Sequence, residues 1–229
     1  MPYIQILSDL RLQELRDYSL FEITPSAPYL ALLGDTGSIN NAGYFKLLSI
    51  NAVDSKSFSS FSAIMSLIAL VGRAKKKFKR FEDFAVMTNV NRWLGKVVFL
   101  DQTRHDLSPG ITLLGYTLFS NVLPEQKNRV SSTLKDFSCI DDWSVDKHNQ
   151  AHTSDLQWLN RQINAISKAE PNRKIIILIH HNNAVKIWVF GHTHFNVDYI
   201  EDGKRVVANP KWYFHRQAPG FDPEKCVEI

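Results

Sequence analysis

Cysteine is almost absent: Cys139 and Cys226 are the only two in 229 residues, and neither sits in a recognisable motif spacing. That excludes a disulfide framework and a zinc–thiolate site, and makes a reducing compartment the default. Long hydrophobic runs are missing as well. The most apolar window, Phe61–Val71, is eleven residues with Ser62 and Ser66 inside it, against the roughly 20 needed to cross a bilayer. Met1–Leu10 has neither the basic start nor the apolar centre of a secretory leader and reads as a strand. These absences give the expectation of a soluble, cytoplasmic protein with no membrane partner. Charge of one sign is not concentrated either: 27 Lys and Arg against 23 Asp and Glu leave a net +4, a mild excess of base that suits anionic substrates without demanding nucleic acid. No internal repeat or linker interrupts the chain, and its length and 44% hydrophobic content fit one domain over 1–229.

What is present is a set of short apolar runs that end abruptly in metal-ligand residue types. Lys174–His181 (Lys-Ile-Ile-Ile-Leu-Ile-His-His) and Ile187–Phe195 (Ile-Trp-Val-Phe-Gly-His-Thr-His-Phe) each read as a buried strand delivering histidines to the lip of a sheet. Ile4–Gln13 delivers Asp9, and Tyr29–Asn40 delivers Asp35 just after Gly34. Strand ends are where α/β folds keep their chemistry, and imidazole and carboxylate are metal ligands. Gly191 permits the turn that lets His192 and His194 fan out. Whether His180 or His181 points inward is open in the sequence, with His180 favoured because it sits at the strand end.

Asp, Gly-Asp, His and Gly-His-x-His in this order resemble the motifs of the calcineurin-like metallophosphoesterase family. Arg73–Phe81, Phe99–Asp106, Leu114–Ser120, Ile140–Leu159 and Arg205–Pro210 are also similar to a fungal and bacterial branch of it. The resemblance implies an α/β fold, a four-layer α/β/β/α sandwich of two mixed sheets flanked by helices. It implies phosphatase or phosphodiesterase chemistry on two divalent cations about 4 Å apart, with a metal-activated hydroxide attacking phosphorus. Carried over by position, Asp9, Asp35 and His194 belong to one cation, and Asp35, His180 and His192 to the other. The metal stays open among manganese, iron, zinc and magnesium, as does a loading of one ion or none.

Three departures from the family pattern bear on activity. Arg11 stands two residues after Asp9 where the family has histidine, and a guanidinium has no lone pair for a cation; a phosphate-holding, substrate-binding role suits its fork instead. No Gly-Asn-His-Asp/Glu occurs, so the family's general-acid histidine has no counterpart and no catalytic residue is assigned. The segment from His181 to Val185 is shorter than the family's excursion over the site. The leading expectation is therefore a metal-dependent hydrolase of phosphate esters with reduced turnover, acting on a phosphorylated small molecule or a phosphoprotein. The alternative is an inactive member that binds a phosphorylated ligand or protein partner. A third reading is a reading frame that skips coding sequence near Ile39–Gly72 and His181–Val185. Oligomeric state is not specified by the sequence.

Elsewhere, periodicity predicts helices over Asn41–Ile50, over Phe61–Phe84 with a break at Gly72, and over Asp146–Lys168 with cap candidates Thr153 and Ser154. Lys75, Lys76, Lys77, Lys79 and Arg80 read as a solvated helix face. Ser55–Ser62, Asp101–Gly110 and Phe137–Trp143 read as loops, and His148 and His152 as surface histidines at a helix start. Lys96–Leu100 and Ile111–Thr117 read as strands. Asn196–Ile200 and Arg205–Ala208 flank a Glu-Asp-Gly-Lys hairpin signal, and Lys211–Ile229 is expected to wrap the surface.

Overall fold

Short runs of β-branched and leucine residues build the sheets. Tyr3–Leu7 (β1) and Tyr29–Leu33 (β2) lie parallel, with Ile4 opposite Tyr29 and Leu7 opposite Leu32. Ser62–Ser66 (β3) and Val98–Leu100 (β4) continue the sheet in parallel. A second sheet contains Thr103–Ser108 (β5), Ile111–Tyr116 (β6), Lys174–Ile179 (β7), Ile187–Phe190 (β8), Val197–Glu201 (β9) and Lys204–Ala208 (β10). Trp212–Tyr213 (β11) and Arg216–Gln217 (β12) make a small hairpin, and Cys226–Glu228 (β13) returns to the first sheet. The orders are β13-β1-β2-β3-β4 and β5-β6-β7-β8-β10-β9. Both sheets are mixed: β6, β7, β8 and β10 run parallel, while β5, β9 and β13 are antiparallel edges. The computed structural model describes residues 3–14, 18, 21–38, 41–53, 62–66, 83, 97–134, 136–139, 142–180, 187–213 and 215–229.

Side chains alternate across a strand, so each strand feeds two cores. Ile4, Ile6, Ala31 and Leu33 of the first sheet meet Leu113, Ile176, Leu178, Val189 and Val207 of the second in one buried cluster. The opposite faces are covered separately. Leu7, Leu30 and Leu32 pack with Tyr44, Leu47 and Leu48 of the helix Ala42–Val53 (α1). Ile175, Ile177, Ile179, Trp188 and Phe190 pack with Trp158, Leu159 and Ile166 of a long helix. Two short helices, Lys127–Thr133 (α2) and Asp136–Cys139 (α3), precede that long one, Val145–Ala169 (α4). Each fully buried Leu, Ile or Val contributes about 1.5–3 kcal/mol, so these three clusters are the main source of stability. Gly115 marks the tightest approach beside the inter-sheet core: a Cβ there would lie 2.3 Å from Leu100 Cβ. Among the described residues no helix is long and apolar enough to cross a membrane.

Several expectations are corrected. Ser62–Ser66 is strand, not helix, because it pairs on both edges with β2 and β4; the rest of Phe61–Phe84, including the lysine cluster, lies outside the described residues apart from Asp83, which is helical. Thr103–Ser108 is an edge strand turning at 109–110 into β6. Residues 136–139 are helical. Helix α4 is capped by Ser144, whose Oγ accepts from Lys147 N at 3.2 Å, rather than by Thr153 or Ser154. His148 is buried, its Nε2 paired with Ser120 O at 2.9 Å, and His152 Nδ1 pairs with Phe119 O. These two rings fasten the segment after β6 to the helix. The tail does not merely wrap: β13 pairs with β1, and Val227 and Ile229 are buried in the inter-sheet core.

Candidate metal centre

Four parallel strands point their carboxyl ends at one place. Asp9 follows β1, Asp35 follows β2, His180 follows β7, and Gly191-His192-Thr193-His194 follows β8. The loops after β1 and β2 are zipped by backbone hydrogen bonds: Asp9 N to Gly34 O at 3.2 Å, Arg11 N to Asp35 O at 2.9 Å, Leu12 N to Thr36 O at 3.3 Å. Gly191 N donates to His180 O at 3.2 Å, tying the two histidine loops together. Asp9, Arg11, Asp35, His192 and His194 all have positive φ, between 45° and 63°. Non-glycine residues there are strained, and a cluster of them persists where surrounding contacts dictate side-chain direction. Gly191 is required for a different reason. A Cβ on it would lie 2.7 Å from Asp9 Oδ2 and 2.8 Å from Ser8 Cβ.

The side chains converge. One ligand atom each from Asp9, Asp35 and His180 lie within 4.8 Å of one another, a spacing an ion with bonds of about 2.0–2.2 Å need draw in only slightly. His192 Nδ1 is 3.0 Å from His180 Nε2, and His194 Nε2 is 3.7 Å from Asp9 Oδ1. His180 Nδ1 donates to Leu33 O at 3.1 Å, leaving the Nε2 lone pair toward the centre. Asp9 is fully buried; its Oδ2 accepts from His192 N at 2.8 Å, while Oδ1 accepts no hydrogen bond. A buried carboxylate oxygen without a donor is costly unless a cation answers it. The residues present therefore fit a divalent ion.

Electrostatics agree with this. Burial holds both His180 and His192 down to about 4, with the neighbouring His180 adding to the effect on His192. Burial also lowers His194. All three rings are thus neutral near pH 7, the state in which imidazole ligates. Burial raises Asp9, with the charge of Asp35 a smaller contribution and the His192 N–H opposing it.

Arg11 enters the same space. Its Nη2 lies 3.2 Å from Asp35 Oδ2 and 3.4 Å from His194 Nε2, and its guanidinium sits 5.0 Å from the Tyr213 ring centre. Trp212, also at positive φ, stacks on His194 with ring centres 5.3 Å apart and 24° between planes. Asp9, Arg11, Asp35, His180, His192 and His194 are thus gathered in one locality; His181 lies outside the described residues. Sequence reading missed Trp212, Tyr213 and Asn209. Asn209 Nδ2 donates to Ile6 O and to Asp222 O, both at 2.7 Å, and Trp212 N donates to Asp9 O at 3.0 Å. Their signal was position, just after β10, and Asn209 also falls in the family-similar stretch Arg205–Pro210.

The chain shares its fold with a solved hydrolase structure. The crystal structure of a phosphopantetheinyl hydrolase from Mycobacterium tuberculosis superposes with a TM-score of 0.61 over 93% of this chain and 90% of that one, at 13% identity. In sequence, an uncharacterized protein of Acanthamoeba polyphaga mimivirus is 22% identical over 241 residues, spanning 88% of this chain and 84% of the viral one. No family model matches the chain. The likeness to the mycobacterial hydrolase is one of fold, with its sheets carrying, here, a carboxylate–imidazole cluster able to ligate a cation.

Proposed function

We propose that this chain is a calcineurin-like metallophosphoesterase, a four-layer α/β/β/α sandwich that hydrolyses a phosphate ester with reduced turnover. The observation that carries the reading is the convergence of Asp9, Asp35 and His180 within 4.8 Å at the carboxyl ends of β1, β2 and β7. The fold likeness to a phosphopantetheinyl hydrolase supports it. Asp9, Asp35, His180 and His192 would hold the ion, with His194 at its flank. A bound divalent cation supplies Lewis acidity to a phosphoryl oxygen.

The protein's own groups do the rest. Arg11, whose side chain is partly exposed beside Asp35 and His194, is placed to donate to a phosphate oxygen, and its fork geometry matches that task. Gly191 keeps Asp9 and the histidine loop in register. Among the described residues no group in the centre replaces the family's general acid, and loss of such a group costs about 10²- to 10⁴-fold in rate. The substrate class is a phosphorylated small molecule or a phosphoprotein, and phosphopantetheine esters belong in the first panel tested.

The test is to purify the chain and measure bound manganese, iron and zinc together with hydrolysis of aryl phosphate mono- and diesters. Bound metal with turnover that His192→Ala abolishes is the expected result. Absence of both at any added cation would sink the hydrolase and leave a second reading, a binder of phosphorylated ligands. That reading is favoured by one observation: the ion pair of Arg11 with Asp35.

A further inference from the structure

The centre has two halves around a shared pair of carboxylates. On one side His180 and His192 face each other at 3.0 Å. On the other, His194 Nε2 lies 3.7 Å from Asp9 Oδ1 and 3.4 Å from Arg11 Nη2, and the same Nη2 lies 3.2 Å from Asp35 Oδ2. Two of the three donor atoms that a cation in this second half would need, His194 Nε2 and Asp35 Oδ2, already lie within 3.4 Å of one guanidinium nitrogen, Arg11 Nη2. Building on the phosphoesterase reading above, we propose that Arg11 is a permanent stand-in for one cation, so the centre takes a single divalent ion, on the His180 side.

A guanidinium is a permanent cation, so the position is not vacated by loss of charge. Nor is it free to swing out. The backbone at Arg11 is fixed at φ 49° with its N–H on Asp35 O, the side chain is only 18% exposed, and the Tyr213 ring covers one face of the fork. Tyr213 is in turn flanked by His215 and Trp212, so the β11–β12 hairpin acts as a clamp on Arg11, and Tyr213 is a positioning residue. Charge counting points the same way. Asp9 and Asp35 supply two negative charges, which Arg11 and one divalent ion already exceed by one; a second divalent ion would raise the excess to three, with no further carboxylate in the cluster among the described residues. Like charges packed at this range repel strongly in a partly buried site.

The experiment is metal stoichiometry on the full chain, by equilibrium dialysis against manganese(II) with elemental analysis, and electron paramagnetic resonance of the bound ion. The native protein is expected to hold one manganese per chain with the spectrum of an isolated ion. Arg11→His, which removes the charge and adds an imidazole beside Asp9, Asp35 and His194, is expected to hold about twice as much, with the spectrum of an exchange-coupled pair. Should that variant fail to fold, Arg11→Ala frees the same three residues and is expected to gain the second ion at higher manganese concentration. Two ions in the native protein, or one in the native protein and in both variants, overturns the proposal and leaves the phosphoesterase reading intact. No manganese in any of them overturns both.

Discussion

At the scale of single residues, the site rests on positions that hold others in place. Gly191 is one: a methyl group there would press into Asp9 Oδ2 and Ser8, displacing the carboxylate from His192 N. Gly191→Ala is expected to fold but to bind manganese at least about tenfold more weakly by titration calorimetry, as a misplaced ligand loses on the order of 1.4 kcal/mol or more. Asn209 is another. It is buried and makes three hydrogen bonds, to Ile6 O, Asp222 O and Asp222 N, so Asn209→Ala leaves buried backbone groups unanswered. Chemical denaturation is expected to show a loss of about 2–4 kcal/mol. The sequence displayed Asp9, Asp35, His180, His192 and His194 because each terminates a readable strand. It could not display the Arg11–Asp35 pair, the His194–Trp212 stack or the role of Asn209, since these join residues far apart in the chain and follow no local period.

At the scale of elements, strands with a buried apolar run were legible and those without one were not. β7 and β8 are continuous Ile, Leu, Val, Trp and Phe, and the hairpin between β9 and β10 has Asp202 and Gly203 both at positive φ, as its Asp-Gly signal requires. β5 reads Thr-Arg-His-Asp-Leu-Ser, an exposed edge with little hydrophobic contrast. β3 hid inside an apolar run of helical length. The connection from β4 to β5, where the chain leaves one sheet for the other, carries a testable electrostatic feature. Gln102 reaches from this corner to Asp155 Oδ1 of α4 at 2.9 Å, and Asp155 Oδ2 accepts from Leu118 N at 2.9 Å. The neighbouring Asp101 carboxyl is pushed from its ordinary 3.8 up to about 6, by burial first and by the charge of Asp155 second. Between those values the folded state holds more protons than the unfolded one, so this group's contribution falls as pH rises from about 4 to 6 and is a cost above 6. Asp101→Asn is therefore expected to stabilise the protein at pH 7, on the order of 1 kcal/mol by denaturant titration, and to give no gain at pH 4.

At the scale of the whole molecule, the two mixed sheets meet through one apolar layer that also receives Val227 and Ile229 from the end of the chain. Val227 is fully buried, so Val227→Ala should lower stability by about 1–3 kcal/mol although it lies in a three-residue edge strand; a differential scanning measurement would show it. That the tail is structural was not visible beforehand, because Cys-Val-Glu is too short to carry a pattern and its partner strand is at the opposite end of the sequence.

That pairing sets the order in which the protein can mature. Tyr3 is opposite Glu228 and Gln5 opposite Cys226, so the strand that presents Asp9 keeps one edge open until residues 226–228 have been synthesised. Contacts this distant along a chain close late. A ribosome-held chain that has not yet emerged through Cys226–Glu228 is expected to leave β1 unpaired on that edge and the Asp9 loop open to attack, which pulse proteolysis of stalled chains of increasing length would show.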